Sequence, residues 1–135
     1  MRELLTSKAI PAPKFRYTPC VKTGPFYTVS GMVALDLATG ALISGGVTAQ
    51  TRRILQNLQD AMPDYGVSFQ HMVCARIYTT AFAQFNEINA VWEEFFDNVA
   101  PPARTSVGVS ALPLGALVEI EFAFYRTTQE EGNTP

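Results

Sequence analysis

Arg104, Glu119 and Glu121 are the residues from which this sequence could build chemistry. The single histidine, His71, is the only candidate general base of that kind, so a Ser-His-Asp triad or a Cys-His pair would have to run through it. It follows the turn-like Gly66-Val67-Ser68 at a strand start and reads as a surface residue. Cys20 and Cys74 form no CxxC and read as two reduced thiols in a cytosolic protein. There is no GxGxxG and no phosphate-cradling lysine loop, and a zinc site lacks candidate ligands. Carboxylates, an arginine, hydroxyls and backbone groups remain. An arginine can grip a substrate carboxylate through its fork of donors, and a glutamate can move protons or hold a water. An arginine and a glutamate on neighbouring strands can equally form a structural ion pair, and spacing alone does not choose.

The elements that must position these groups follow from periodicity. In Leu117 to Thr127, alternation places Val118, Ile120, Phe122 and Phe124 on one face and Glu119, Glu121, Ala123 and Tyr125 on the other. The strand Arg104 to Leu112 puts Arg104, Ser106, Gly108 and Ser110 on one side, after the stiff lead-in Pro101-Pro102-Ala103. Phe26 to Ser30 is rich in strand formers between Gly24-Pro25 and Gly31. Met32 to Leu37 reads as a second short strand, closed into a hairpin by the turn Ala38-Thr39-Gly40. After the turn Gly45-Gly46, Val47 to Met62 reads as a helix with Ile54, Leu55, Leu58, Ala61 and Met62 on its apolar face. Pro63 should kink or end it. Met72 to Thr79 reads as a strand. Residues 81–97 read as a helix capped by Thr80, with Phe82, Phe85, Ile88, Asn89, Trp92, Phe95 and Phe96 on one face. The first dozen residues and Gln129 to Pro135 read as loose ends.

The order β, β, α, β, α, β, β implies an α+β sandwich, one sheet with both helices on one face, in a single domain with its core at about 15–127. With 135 residues, 47% of them apolar, the chain can bury a real core. Charged residues are only 16%, against about 25% in average domains. The open sheet face therefore calls for cover by other copies of the chain, for which a closed ring of three is one solution. The net charge of −2 argues against a phosphate-backbone binder. No apolar run is long enough to span a membrane, and Met1 to Lys14 does not read as a signal peptide, so a cytoplasmic location is expected.

The run Pro102-Ala103-Arg104-Thr105-Ser106-Val107, then Leu112-Pro113, then Val118-Glu119-Ile120-Glu121, resembles the signature of the reactive-intermediate deaminase (Rid/YjgF) family. Tyr27-Thr28-Val29-Ser30-Gly31, Thr39-Gly40, Gln50-Thr51, Leu55-Gln56-Asn57-Leu58, Phe85-Asn86-Glu87-Ile88-Asn89 and Phe95-Phe96 fall in matching order. The resemblance covers about residues 15–126. It implies a chorismate-mutase-like fold with ferredoxin-like β-α-β repeats, a homotrimer with sites between subunits, and no metal or organic cofactor. The implied reaction is hydrolysis of 2-imino or 2-enamino acids to 2-oxo acids and ammonia.

Carried over by position, Arg104 would bind the substrate carboxylate and Glu119 would activate water and pass protons. Tyr17, Ser30 and Gly31 would line the site, Asn89 would lie near it, and backbone groups around Ser106 would meet the imine nitrogen or its water. Some of these would come from a neighbouring chain. The usual Gly-Pro-Tyr is here Phe15-Arg16-Tyr17, the glutamine after Ser-Gly is Met32, and the family's cysteine near the arginine is replaced by Ser106 or Val107. These departures reshape the pocket. A specialised relative acting on another unsaturated amine such as 2-aminomuconate, a non-catalytic trimer binding small carboxylates, and a ribonuclease or translation inhibitor are the alternatives. The acidic balance and single histidine weigh against the last.

Overall fold

A computed structural model describes residues 1–127; the expected loose tail from Gln129 lies outside the described residues. Six strands form one sheet: β1 (Arg2–Leu5), β2 (Cys20–Thr23), β3 (Phe26–Met32), β4 (Met72–Thr79), β5 (Ala103–Gly108) and β6 (Val118–Tyr125). The helices are α1 (Gly46–Tyr65) and α2 (Phe85–Phe95). The sheet order is β1-β2-β3-β6-β4-β5.

β6 pairs antiparallel with both β3 and β4, so those two run parallel with α1 as their crossover. β4 and β5 pair in parallel around α2. Both β-α-β units expected from the sequence are present, the first split by insertion of β6. The fold is thus α+β, with one mixed sheet carrying two helices.

The core joins Ile54, Leu55, Leu58 and Met62 of α1, Ile88, Val91 and Trp92 of α2, and the inward set Val118, Ile120, Phe122 and Phe124 of β6, all buried. Period two in β6 holds throughout, leaving Glu119, Glu121 and Ala123 half-buried on the other face. In α2 the expected apolar face is only partly covered. Phe82 is exposed, Phe85 and Asn89 are half-buried, and Val91 takes an inward place. The aromatic face extends past the core to the edge of the sheet, where it meets β5.

Several sequence expectations are corrected. The first dozen residues are not loose throughout: β1 pairs with β2 over Arg2–Leu5. β2, between the prolines and Gly24, is the hairpin partner of β3. Met32 ends β3 rather than opening a strand, and the following loop holds only the bridge Leu35 to Leu42 around the Asp36–Gly40 turn. Pro63 does not end α1. It sits in the last turn, so only one helical hydrogen bond is lost, to the carbonyl of the exposed Gln59. Gly66, at φ 84°, closes the helix by donating its N–H to Met62. Thr80 does not cap α2, because a 3-10 turn over Phe82–Gln84 intervenes and Thr79 Oγ1 accepts the Ala81 N–H instead. β5 ends at Gly108, not Leu112, and leads to a 3-10 turn at Pro113–Gly115.

Candidate active site

Arg104 lies on β5, the edge strand. Its backbone partner in the ladder is Ala75, and Ser106 and Gly108 pair with Ile77 and Thr79. Paired residues of a ladder point to the same face, so Arg104 and Ser106 share the helix-covered face with those buried residues. The Arg104 guanidinium carbon stands 5.4 Å from the ring centre of Phe85 and 5.3 Å from that of Trp92. Its Nη2 donates to Asn89 Oδ1 at 2.8 Å. A platform of two α2 aromatics and an amide therefore fixes the fork, and the other N–H donors remain available to an anion. Partial burial lowers the Arg104 pKa from its ordinary value. Asn89, Trp92, Glu93, Pro101, Pro102 and Arg104 line one cavity.

Glu119 is on β6, paired with Tyr78 of β4, on the opposite sheet face. The expectation that Arg104 and Glu119 stand on neighbouring strands is therefore corrected. β4 separates β5 from β6, and the two side chains leave opposite faces, which excludes an ion pair within one chain. The connection from β5 to β6 returns across β4, a placement that strand spacing alone does not reveal.

Around Glu119 the chain is shaped for close approach. β3 carries a bulge between Val29 and Met32, so Ser30 and Gly31 together oppose Glu121. Ser30 is held by its N–H on Pro19 O and its Oγ on Thr18 O, at 2.9 and 2.6 Å. Gly31 lies directly under the carboxylate: a β-carbon there would stand 2.6 Å from Glu119 Oε2. The glycine is required by proximity, not by its backbone angle. Glu119 is raised above the usual carboxylate range, first by burial and then by the charge of Glu121. Glu121 in turn accepts a hydrogen bond from the Tyr78 hydroxyl. That bond is also the main cause of the raised pKa of Tyr78.

Tyr17, Gly31 and Glu119 line a common cavity with Lys14, Phe15 and Leu114. Tyr17, Ser30 and Gly31 line a second, neighbouring one. The seven expected site residues thus fall into two groups. Tyr17, Ser30, Gly31 and Glu119 converge on one side, and Asn89, Arg104 and Ser106 on the other. The sequence reading missed Lys14, Tyr78 and the Phe85–Trp92 platform. Tyr78 was detectable as an outward position in β4, whereas the others depend on loop and helix placement. Among the described residues no group of three or more His, Cys, Asp or Glu side chains converges as metal ligands would.

The family model for endoribonuclease L-PSP matches residues 7–125. The chain belongs to this family, also known as the Rid/YjgF family. Among curated relatives, the mouse 2-iminobutanoate/2-iminopropanoate deaminase is 30% identical over 121 residues, covering 90% of this chain and 89% of that protein. A Rid family protein of unknown function, YyfA from Yersinia pestis, superposes with TM-score 0.89 at 28% identity, covering 93% of this chain and all of the other (100%). TdcF from E. coli, solved with bound serine, superposes with TM-score 0.87 at 26% identity, covering 93% and 99%. The grouping places the arginine and its amide on α2 and β5, apart from the carboxylate and its glycine on β3 and β6.

Proposed function

We propose that this protein hydrolyses 2-imino and 2-enamino acids to 2-oxo acids and ammonia in the cytoplasm, as a homotrimer whose sites combine the two halves from neighbouring subunits. The observation that carries this reading is the separation of Arg104 from Glu119 on opposite faces of one sheet. Each half alone lacks what the other supplies, and a ring of identical chains brings different patches of the same surface together. The low charge content fits surface covered by partner copies. The mouse relative's name and the serine bound to TdcF fit a small amino-acid-like substrate.

In this mechanism Arg104, steadied by Asn89, binds the carboxylate bidentately. The imine carbon is already electrophilic, so positioning and proton transfer suffice. A water attacks the carbon of the protonated imine as Glu119 takes one of its protons, giving a neutral carbinolamine. Glu119 returns that proton to nitrogen, and the C–N bond breaks as the hydroxyl gives its own proton back to the Glu119 carboxylate, so that the carbonyl forms, ammonia leaves and the last proton passes to ammonia or solvent. Backbone groups near Ser106 hold the nitrogen or its water, and Tyr17 with the Ser30-Gly31 bulge walls the cleft. The raised pKa of Glu119 suits a group that must both accept and return a proton.

The test uses an amino-acid oxidase to generate 2-imino acids while semicarbazide competes for them. The protein is expected to suppress semicarbazone formation, and Arg104→Ala is expected to lose that effect. Semicarbazone unchanged across a broad imine panel would overturn the reading for simple imino acids. Turnover of 2-aminomuconate instead would assign the specialised reaction.

A further inference from the structure

The cavity behind Ser30 and Gly31 has a feature the deaminase reading does not use. Tyr65, the last residue of α1, is 4% exposed, and its hydroxyl is buried without a hydrogen-bond partner. It closes a cavity of about 60 Å³ under the proline-rich segment Ile10 to Pro19, room for a few waters or a short chain. Of the other polar side chains in the lining, Ser30 Oγ donates to Thr18 O and Asn57 Nδ2 donates to Leu35 O at 2.8 Å, while Tyr17 is exposed, so Tyr65 carries the buried hydroxyl without a partner. None of the lining residues carries a charge. Tyr17, Gly31, Val33 and Leu35 line both this cavity and the one that holds Glu119, so the two adjoin.

We propose that this cavity receives the substrate's side chain, and that Tyr65 selects a short, neutral chain bearing a hydrogen-bond acceptor near its end. The proposal rests on the deaminase reading and gives it a substrate class. Burial, above all, keeps the Tyr65 phenol protonated, so the hydroxyl is a donor awaiting an acceptor. A charged tip would lose its hydration with no counter-charge in the lining. A purely apolar tip would leave the hydroxyl orphaned or force it to keep a water. Val29, Met32, Val33 and Leu35 supply apolar walls for the stem.

The test compares imines made from L-alanine, L-norleucine and O-methyl-L-homoserine, the last two differing by an ether oxygen in place of a methylene. Wild-type protein is expected to favour the methoxy imine over the norleucine imine by about five- to ten-fold in kcat/KM, the size of one net hydrogen bond. Tyr65→Phe should erase that preference and leave the alanine-derived imine unchanged. A preference absent from the wild type, or surviving in Tyr65→Phe, overturns the proposal and leaves the hydroxyl to a buried water. If no imine is hydrolysed, the deaminase reading fails separately. The cavity is then judged by titration calorimetry with 2-oxohexanoate and 4-methoxy-2-oxobutanoate. Tighter binding of the methoxy acid by wild type but not by Tyr65→Phe supports the side-chain site, and equal dissociation constants overturn it.

Discussion

Glu119 rests its carboxylate on the bare Cα of Gly31, where a β-carbon would come within 2.6 Å of Oε2. The contact depends on the β3 bulge, which places two residues opposite Glu121 and turns Gly31 toward β6. Gly31→Ala should therefore move the carboxylate without disturbing the backbone, since Gly31 is not among the positive-φ glycines. We expect kcat for imine hydrolysis to fall about 100-fold, the usual cost of misplacing a proton-transfer group by about 1 Å. The melting temperature should change by only a few degrees. An unchanged kcat would show that the carboxylate's position over Gly31 is immaterial.

Glu119 also makes a pH prediction. Its folded-state pKa is raised by burial and by Glu121, so folding favours the protonated acid. That contribution is complete below the ordinary carboxylate range and is lost as pH rises through the raised value. Glu119→Gln should therefore raise the melting temperature at pH 7.5 and have little effect near pH 3. If Glu119 is the proton-transfer group, Glu121→Gln should move the acid limb of kcat/KM to lower pH, because it removes a like charge from beside Glu119. Scanning calorimetry at both pH values and a rate profile check the two outcomes. Stabilisation by Glu119→Gln that is equal at both pH values would remove ionisation as its cause.

Arg104 is held by Asn89 and by the faces of Phe85 and Trp92, a setting that suits a planar fork and not an ammonium. Arg104→Lys keeps the charge but loses bidentate geometry. Its kcat/KM should fall about 10- to 100-fold, the value of one charge-assisted hydrogen bond. The loss should appear mainly in KM if the arginine binds ground and transition states alike. Full activity in Arg104→Lys would reduce the residue to a diffuse positive charge.

The division of the site explains what could be read from the sequence. Alternation in β6 places Glu119 outward because period two is local and strong, and the α1 core face follows from period 3.6 in the same way. Strand order is a long-range property. That β6 enters between β3 and β4 is settled by which apolar faces can be buried together, and so the separation of Arg104 from Glu119 was invisible from their spacing. β1 and β2 escaped notice because four-residue strands between prolines and charges give little periodic signal. Tyr65 lies beyond the helix Val47 to Met62 that periodicity marks out, and only tertiary packing leaves its hydroxyl buried and without a partner.

The same separation predicts how inactive variants behave when mixed. Arg104→Ala and Glu119→Gln proteins should each be inactive, because every proposed intersubunit site then lacks one half. If each site takes its arginine from one subunit and its glutamate from the next, a chain carrying Glu119→Gln still donates a good arginine, and one carrying Arg104→Ala still donates a good glutamate. Unfolding and refolding the two together in equal amounts should then restore about a quarter of the wild-type activity, the random chance that a given interface receives both intact residues. Sedimentation should report a mass of three chains for every mixture. If the refolded mixture stays as inactive as its parents while the assembly is trimeric, the two halves do not meet across the subunit interface. Arg104 and Glu119 would then belong to different sites.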